Sequence, residues 1–239
     1  MPLPKVNTPT YELVLPSTNK KIKYRPFLVR EEKILIMALE TEDAKQITSS
    51  VIEILNACIL TRGIKIEKLA TFDIEYLFLN VRAKSVGESI DVNVTCPDDN
   101  KTTVEVKVDI DSIKIIKNKN HKDTVKLDDT LSLKLNYPSI EQFIENNFES
   151  SKGSEITSTL DMITSCIDMI YTDEESWNAS ETSKKDLEEF IEQLNTKQFR
   201  VIEGFFDTMP KLSHSIKVKN PKTDVESTVV LEGLAAFFS

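Results

Sequence analysis

The sequence predicts an α+β fold: a discontinuous, mostly helical domain with a β-hairpin at each end and an inserted antiparallel β module. Two observations carry this reading. Apolar residues recur at helical spacing before residue 87 and again after residue 137, whereas between 88 and 136 the period falls to two. Near each end of the chain, two short alternating runs flank a cluster of turn residues. The expected boundaries are 1–87 with 137–239 for the helical domain and 88–136 for the insert.

The first hairpin is Tyr11-Glu-Leu-Val-Leu15, a turn through Pro16-Ser-Thr-Asn19, and a return along Lys21-Ile-Lys-Tyr24. Pro26 ends the ladder. Val29 to Glu40 reads as a strong helix, and Asp43 starts another that carries Ile47, Val51, Ile54, Leu55 and Cys58 on one face and stops at Gly63. The next helix organises the chain. Thr71 caps it, Asp73 and Glu75 place negative charge on its first turn, and Ile74, Leu77, Phe78 and Val81 form one apolar face. Arg82 and Lys84 load its last turn, and Gly87 allows the left-handed residue that ends it.

There the period changes. Ile90, Val92 and Val94 point one way, and Asp91, Asn93 and Thr95 the other. Strands are expected at 89–96, 102–109, 112–117, 123–127 and 130–136, with a tight turn at Pro97-Asp-Asp-Asn100 and a polar loop at Lys117–Lys122. Helices resume after Ser139, then from Glu155 to Tyr171, after Ser183 and after Thr196. Trp177 falls in the loop 172–180. The closing hairpin joins His214–Lys219 to Glu226–Leu231 through Asn220–Asp224. The two terminal hairpins are expected to pair into one sheet.

Composition narrows the function. The chain is 40% hydrophobic and 29% charged, an ordinary globular balance, and its net charge of -9 argues against nucleic-acid binding. Cys58, Cys96 and Cys166 are too few and too far apart for a disulfide framework and suit a reducing cytoplasm. No secretory h-region follows Met1 and no run of about 18 apolar residues offers a membrane span. Five glycines are too few and too scattered for a phosphate-cradling loop.

The candidate chemistry is thin. Cys96-Pro97 resembles half a zinc knuckle, but position 99 is Asp99 and no second cysteine pair follows, so the reading is a structural turn and no metal site. Asp98, Asp99, Asp109 and Asp111 lack calcium-loop spacing. His121 lies in a polar loop and His214 beside two serines, with no nucleophile elbow in the chain. Glu31 and Glu32 fit helix-dipole compensation. No catalytic residue and no cofactor are expected. What remains is apolar surface: Phe27, Trp177, Leu234, Phe237 and Phe238 are the candidate partner contacts, because they lie outside the helical faces committed to a core. For the tail two readings stand side by side: it closes its own core, or it anchors another subunit.

Several segments carry a resemblance. Met1-Pro-Leu-Pro-Lys5, Tyr24-Arg-Pro-Phe-Leu-Val-Arg-Glu-Glu-Lys33, Leu69-Ala-Thr-Phe-Asp-Ile-Glu-Tyr-Leu-Phe78, Cys96-Pro-Asp-Asp99, Thr208-Met-Pro-Lys-Leu-Ser-His214 and Leu231-Glu-Gly-Leu-Ala235 resemble the baseplate hub subunit of T4-like contractile-tailed phages, in its cyanophage-type version. The likeness runs the whole length and contains no catalytic motif. It implies a structural or assembly role in the central hub of the tail baseplate, through contacts with other baseplate hub proteins and without nucleic acid, membrane or cofactor. A homo-oligomer within the symmetric hub fits the same role. It implies a place in the virion tail baseplate, and in the host cytoplasm during assembly. A related branch acts as an assembly chaperone that is absent from the finished particle, and the sequence leaves both roles open.

Overall fold

The computed structural model describes residues 7–144 and 155–233. In chain order the elements are β1 (Tyr11–Val14), β2 (Lys21–Tyr24), α1 (Val29–Glu40), α2 (Ala44–Cys58), α3 (Thr71–Ala83), β3 (Ser89–Thr95), β4 (Thr103–Asp109), β5 (Lys114–Ile116), β6 (Thr124–Lys126) and β7 (Ser132–Leu135). Then come α4 (Ile140–Ile144), α5 (Glu155–Ser165), β8 (Ile167–Tyr171), β9 (Ser176–Asn178), α6 (Lys184–Glu192), α7 (Thr196–Thr208), β10 (Lys211–Lys219) and β11 (Glu226–Glu232). By contact the chain divides into two compact units. One comprises residues up to 66, 72–116 and 211 onward, and the other 67–71 with 117–210.

In the first unit, β1 and β2 form the expected hairpin, with Tyr11 opposite Tyr24. The end of α2 continues this ladder, because Leu60 N–H donates to the Lys23 carbonyl (2.8 Å) and Arg25 N–H to that of Cys58 (3.0 Å). Asp43 caps α2 by accepting from the N–H groups of Lys45 (2.8 Å) and Gln46 (3.3 Å). β3 and β4 pair over their full length, from Ser89 opposite Asp109 to Thr95 opposite Thr103. A separate antiparallel sheet runs in the order β11-β10-β5. Leu79 and Ala83 of α3 share one core with Ile90, Val92, Val94, Val108, Leu212, Ile216 and Leu231 from these strands.

In the second unit, β6-β7-β8-β9 form one antiparallel sheet. Leu133, Leu135, Ile167 and Ile170 face a core completed by Ile163 of α5, Leu187 and Ile191 of α6, and Ile202 and Phe205 of α7. Burying side chains of this size contributes about 1.5–3 kcal/mol each. Asn195 caps α7 by accepting from Lys197 and Gln198 N–H, while Gln198 Oε1 accepts from Asn195 N–H.

Three expectations are corrected. The fold is mixed α+β and not a mostly helical domain carrying an inserted β module: the strands of 88–136 are shared among three sheets, since β5 pairs with β10 and β7 with β8. The helix expected from Glu155 to Tyr171 ends at Ser165, where Gln142 Nε2 donates to the freed Ser165 carbonyl (2.7 Å), and Ile167–Tyr171 turns into a strand beside β7. The spacing of Met162, Ile163, Cys166, Ile167 and Ile170 suits a helix, but pairing with β7 overrides it. Finally, the two terminal hairpins lie in separate sheets.

The Glu31 carboxylate is 2% exposed at the first turn of α1. It accepts from Arg25 Nη2 (2.9 Å), Arg30 Nε (2.6 Å) and Leu28 N–H (2.7 Å). Burial raises its pKa, but the Arg25, Leu28 and Arg30 donors outweigh burial and lower it to about 2. Arg25→Ala removes the more buried of the two guanidinium partners of Glu31 and leaves Arg30 Nε and Leu28 N–H in place. It should therefore destabilise in urea unfolding by less than a fully unpaired buried charge, which costs about 3–5 kcal/mol. The folded pKa lies below the ordinary value of 4.5, so this group's stabilisation is complete above about pH 4.5 and is lost as the pH falls toward about 2. Glu31→Gln should flatten that limb of a stability-versus-pH curve, and an unchanged slope would refute the assignment.

Candidate functional site

The β8–β9 hairpin turns through Thr172–Glu175. Thr172 holds the turn locally: its N–H donates to the Glu175 carbonyl (2.8 Å), and its Oγ1 accepts from the N–H groups of Glu174 (3.3 Å) and Glu175 (3.1 Å). This geometry leaves Asp173, Glu174 and Glu175 exposed. Just beyond, Trp177 sits on β9 opposite the buried Ile170 and keeps 43% of its surface in solvent. Beside the turn lies an open depression of about 430 Å³ lined by Lys134, Met169, Tyr171 and the turn itself. Lys134 Nζ is held by Asp168 Oδ2 (2.7 Å), which raises the pKa of the lysine and lowers that of the aspartate. Trp177 does not line this depression: it shares the Ile170 side of the hairpin, whereas Met169 and Tyr171, which alternate with Ile170, line the depression on the other side.

The other sequence-derived candidates fall elsewhere. Phe27 is 6% exposed, its N–H donating to Ser85 Oγ (2.9 Å), so it offers a partner little area. Leu234, Phe237 and Phe238 lie outside the described residues. Sequence reasoning missed a second apolar surface on α1, where Val29, Ile36 and Met37 are all exposed, next to the exposed Leu28 that the sequence does mark as apolar surface. The signal was present: 29–40 holds more apolar residues than one buried face can use.

Cys58, Cys96 and Cys166 are buried and free. Burial pushes their thiols up, to about 11 for Cys58 and about 12 for Cys166. Asp99 closes the 97–100 turn by accepting from Lys101 N–H, Thr102 N–H and Thr102 Oγ1. Asp98 reaches to the far hairpin turn, accepting from Asn220 Nδ2 and Thr223 Oγ1. These donors hold both carboxyls below the usual range. Among the described residues, no group of three or more His, Cys, Asp or Glu is placed to hold a metal ion. His214 Nε2 lies 3.5 Å from Ser112 Oγ, whose proton is directed to the Asp109 carbonyl.

A family model described as T4 bacteriophage base plate protein matches residues 8–239. The chain belongs to this family. No curated protein and no solved structure matches it. Membership gives the chain a structural or assembly role in the phage baseplate, as a component of the virion tail in contact with other baseplate proteins. Among the described residues no helix is long and apolar enough to cross a membrane.

His121 is a packed exception in a loop that reads as wholly polar. Its ring stacks on Tyr137 and meets Phe205, with centroids 5.5 and 4.9 Å away. Thr208 Oγ1 already donates to the Gly204 carbonyl (2.6 Å), so His121 Nδ1 is the donor in their 3.0 Å contact and Nε2 is the unprotonated nitrogen. Nε2 is buried with no hydrogen-bond partner. Burial lowers the imidazole pKa, and Asp123 only partly opposes it. The neutral ring therefore stabilises the fold fully above the ordinary value of 6.5, and protonation erodes that contribution as the pH falls below it. His121→Phe keeps the stacking and should lose less melting temperature than the wild type between about pH 7.5 and about pH 5.5. Equal losses would show that His121 does not couple to the fold.

Proposed function

We propose that this protein is a subunit of the central hub of the tail baseplate and acts there through protein–protein contacts, without catalysis and without a cofactor. The observation that carries the reading is the family match, which spans nearly the whole chain. The segments quoted above narrow that family likeness to the hub. The surface fits a contact role: the exposed Trp177, two residues beyond the Asp173–Glu175 run, offers an aromatic anchor of the kind that concentrates binding energy. The terminal Leu234, Phe237 and Phe238 supply further apolar side chains for neighbouring hub proteins or for further copies of this chain. Phe27, being buried, contributes by positioning the start of α1. Assembly takes place in the host cytoplasm, and the finished subunit stays in the virion.

Two measurements test this. Mass spectrometry of purified virions should find the protein at a small, fixed copy number; its presence in infected cells and absence from virions would establish the assembly chaperone instead. Trp177→Ala should leave the protein folded with a modest loss of melting temperature, because 43% of the residue is in solvent, yet should weaken incorporation into hub complexes by tenfold or more, about the effect expected of an interface anchor. Normal incorporation of a folded Trp177→Ala variant would remove Trp177 from the contact surface.

A further inference from the structure

β11 is the outer strand of the β11-β10-β5 sheet, and its far side has no neighbouring strand among the described residues. Two bonds fix the phase of its ladder with β10. Asn220 N–H donates to the Val225 carbonyl (2.9 Å), and Gly233 N–H donates to that of Leu212 (3.2 Å). In an antiparallel pair the inward-bonding residues alternate. Val225, Ser227, Val229 and Leu231 therefore spend their backbone groups on β10, and Glu226, Thr228, Val230 and Glu232 direct theirs away from the sheet. The side chains of these same four residues are exposed, with Val230 at 51%.

The usual defences of an open edge are missing within the strand. It has no proline, no lysine and no bulge, and it runs for seven residues. What it has is a carboxylate at each end. Neither Glu226 nor Glu232 has an ion-pair partner among the described residues. Lys219, opposite Glu226 on β10, is paired with Asp224 instead. A second copy of β11 laid antiparallel along the full edge would set Glu226 against Glu232 at both ends, which like-charge repulsion disfavours.

We propose that β11 is a strand-addition site for another protein: an extended segment with β-branched residues in the middle and a Lys or Arg at each end, six positions apart. Backbone bonding to the outward groups of Glu226, Thr228, Val230 and Glu232 supplies the affinity. The two carboxylates set the register, and because the edge is acidic at both ends they favour basic flanks in either strand direction. The site does not depend on where in the baseplate the protein stands, so it is separable from the hub reading.

The test uses the full chain with two capped peptides, acetyl-KTVTITK-amide and its twin acetyl-ETVTITE-amide. The Lys-ended peptide should bind about tenfold or more tightly than the Glu-ended one. It should also slow hydrogen exchange at the amides of residues 226, 228, 230 and 232. The double variant Glu226→Lys/Glu232→Lys should reverse the preference. Val230→Pro should abolish binding, since its lost N–H points away from β10 and leaves that ladder intact. If the proline variant fails to fold, the charge-reversal pair decides alone. Equal affinity for the two peptides, no binding of either up to about 1 mM, protection elsewhere in the chain, or a stable homodimer closed through β11 would each overturn the proposal.

Discussion

The first unit depends on a helix buried along most of its length. From Phe72 to Ala83, no residue of α3 is exposed. Its buried side chains, from Phe72 and Ile74 to Val81 and Ala83, point to more than one side of the helix, and the surrounding elements cover them. Asp73, fully buried at its start, accepts from the backbone N–H and hydroxyl of Ser17, which docks the turn of the first hairpin. Without those donors a buried carboxylate would be costly. Leu79 and Ala83 are covered by β3, β4, β10 and β11. Just past its end, Ser85 Oγ donates to the Val81 carbonyl and accepts from Phe27 N–H, so the chain enters α1 at a place that α3 defines.

The local elements were legible because their signals are local. The α1 bounds, the Asp43 cap and both hairpins follow from spacing and turn chemistry within a few residues. The 3.6-to-2 change after Gly87 also marks where α3 gives way to β3. What could not be read was which strand pairs with which. Ile115 meets Leu212 across nearly a hundred residues, and nothing near either position announces it. That pairing, with β7 beside β8, is what converts an expected insert into a mixed fold. Ile167–Tyr171 shows the same limit at shorter range. Its apolar spacing fits a helix as well as a strand, and only Leu133 and the rest of β7 decide the matter.

The candidate surface was legible in part for a related reason. Trp177 stood out because a large aromatic residue in a polar setting is conspicuous, and half its surface does stay in water. Its place on a strand was hidden, because three residues of β9 are too few to show a period. Glu31 was seen but read too lightly. A first-turn glutamate looks like dipole compensation until Arg25, six residues earlier, is found against it. A buried ion pair of this kind adds little net stability over an apolar substitute, but it penalises any arrangement that parts the two charges. It therefore fixes the join between β2 and α1 more than it strengthens it.

Open strand edges extend the same logic to the surface. β5, β6 and β9 are each three residues long, too short to template a foreign strand, and shortness protects them. β4 is longer, but it sets Glu105 and Lys107 side by side on its exposed face, so any partner meets both signs of charge. β11 is as long as β4 and carries one sign only at its ends, with Thr228 and Val230 between. Its carboxylates repel an identical strand and leave a basic one welcome. A protein that joins a larger assembly must keep some surface open without adhering to its own copies. Matching charges at both ends of one long edge meet both requirements at once.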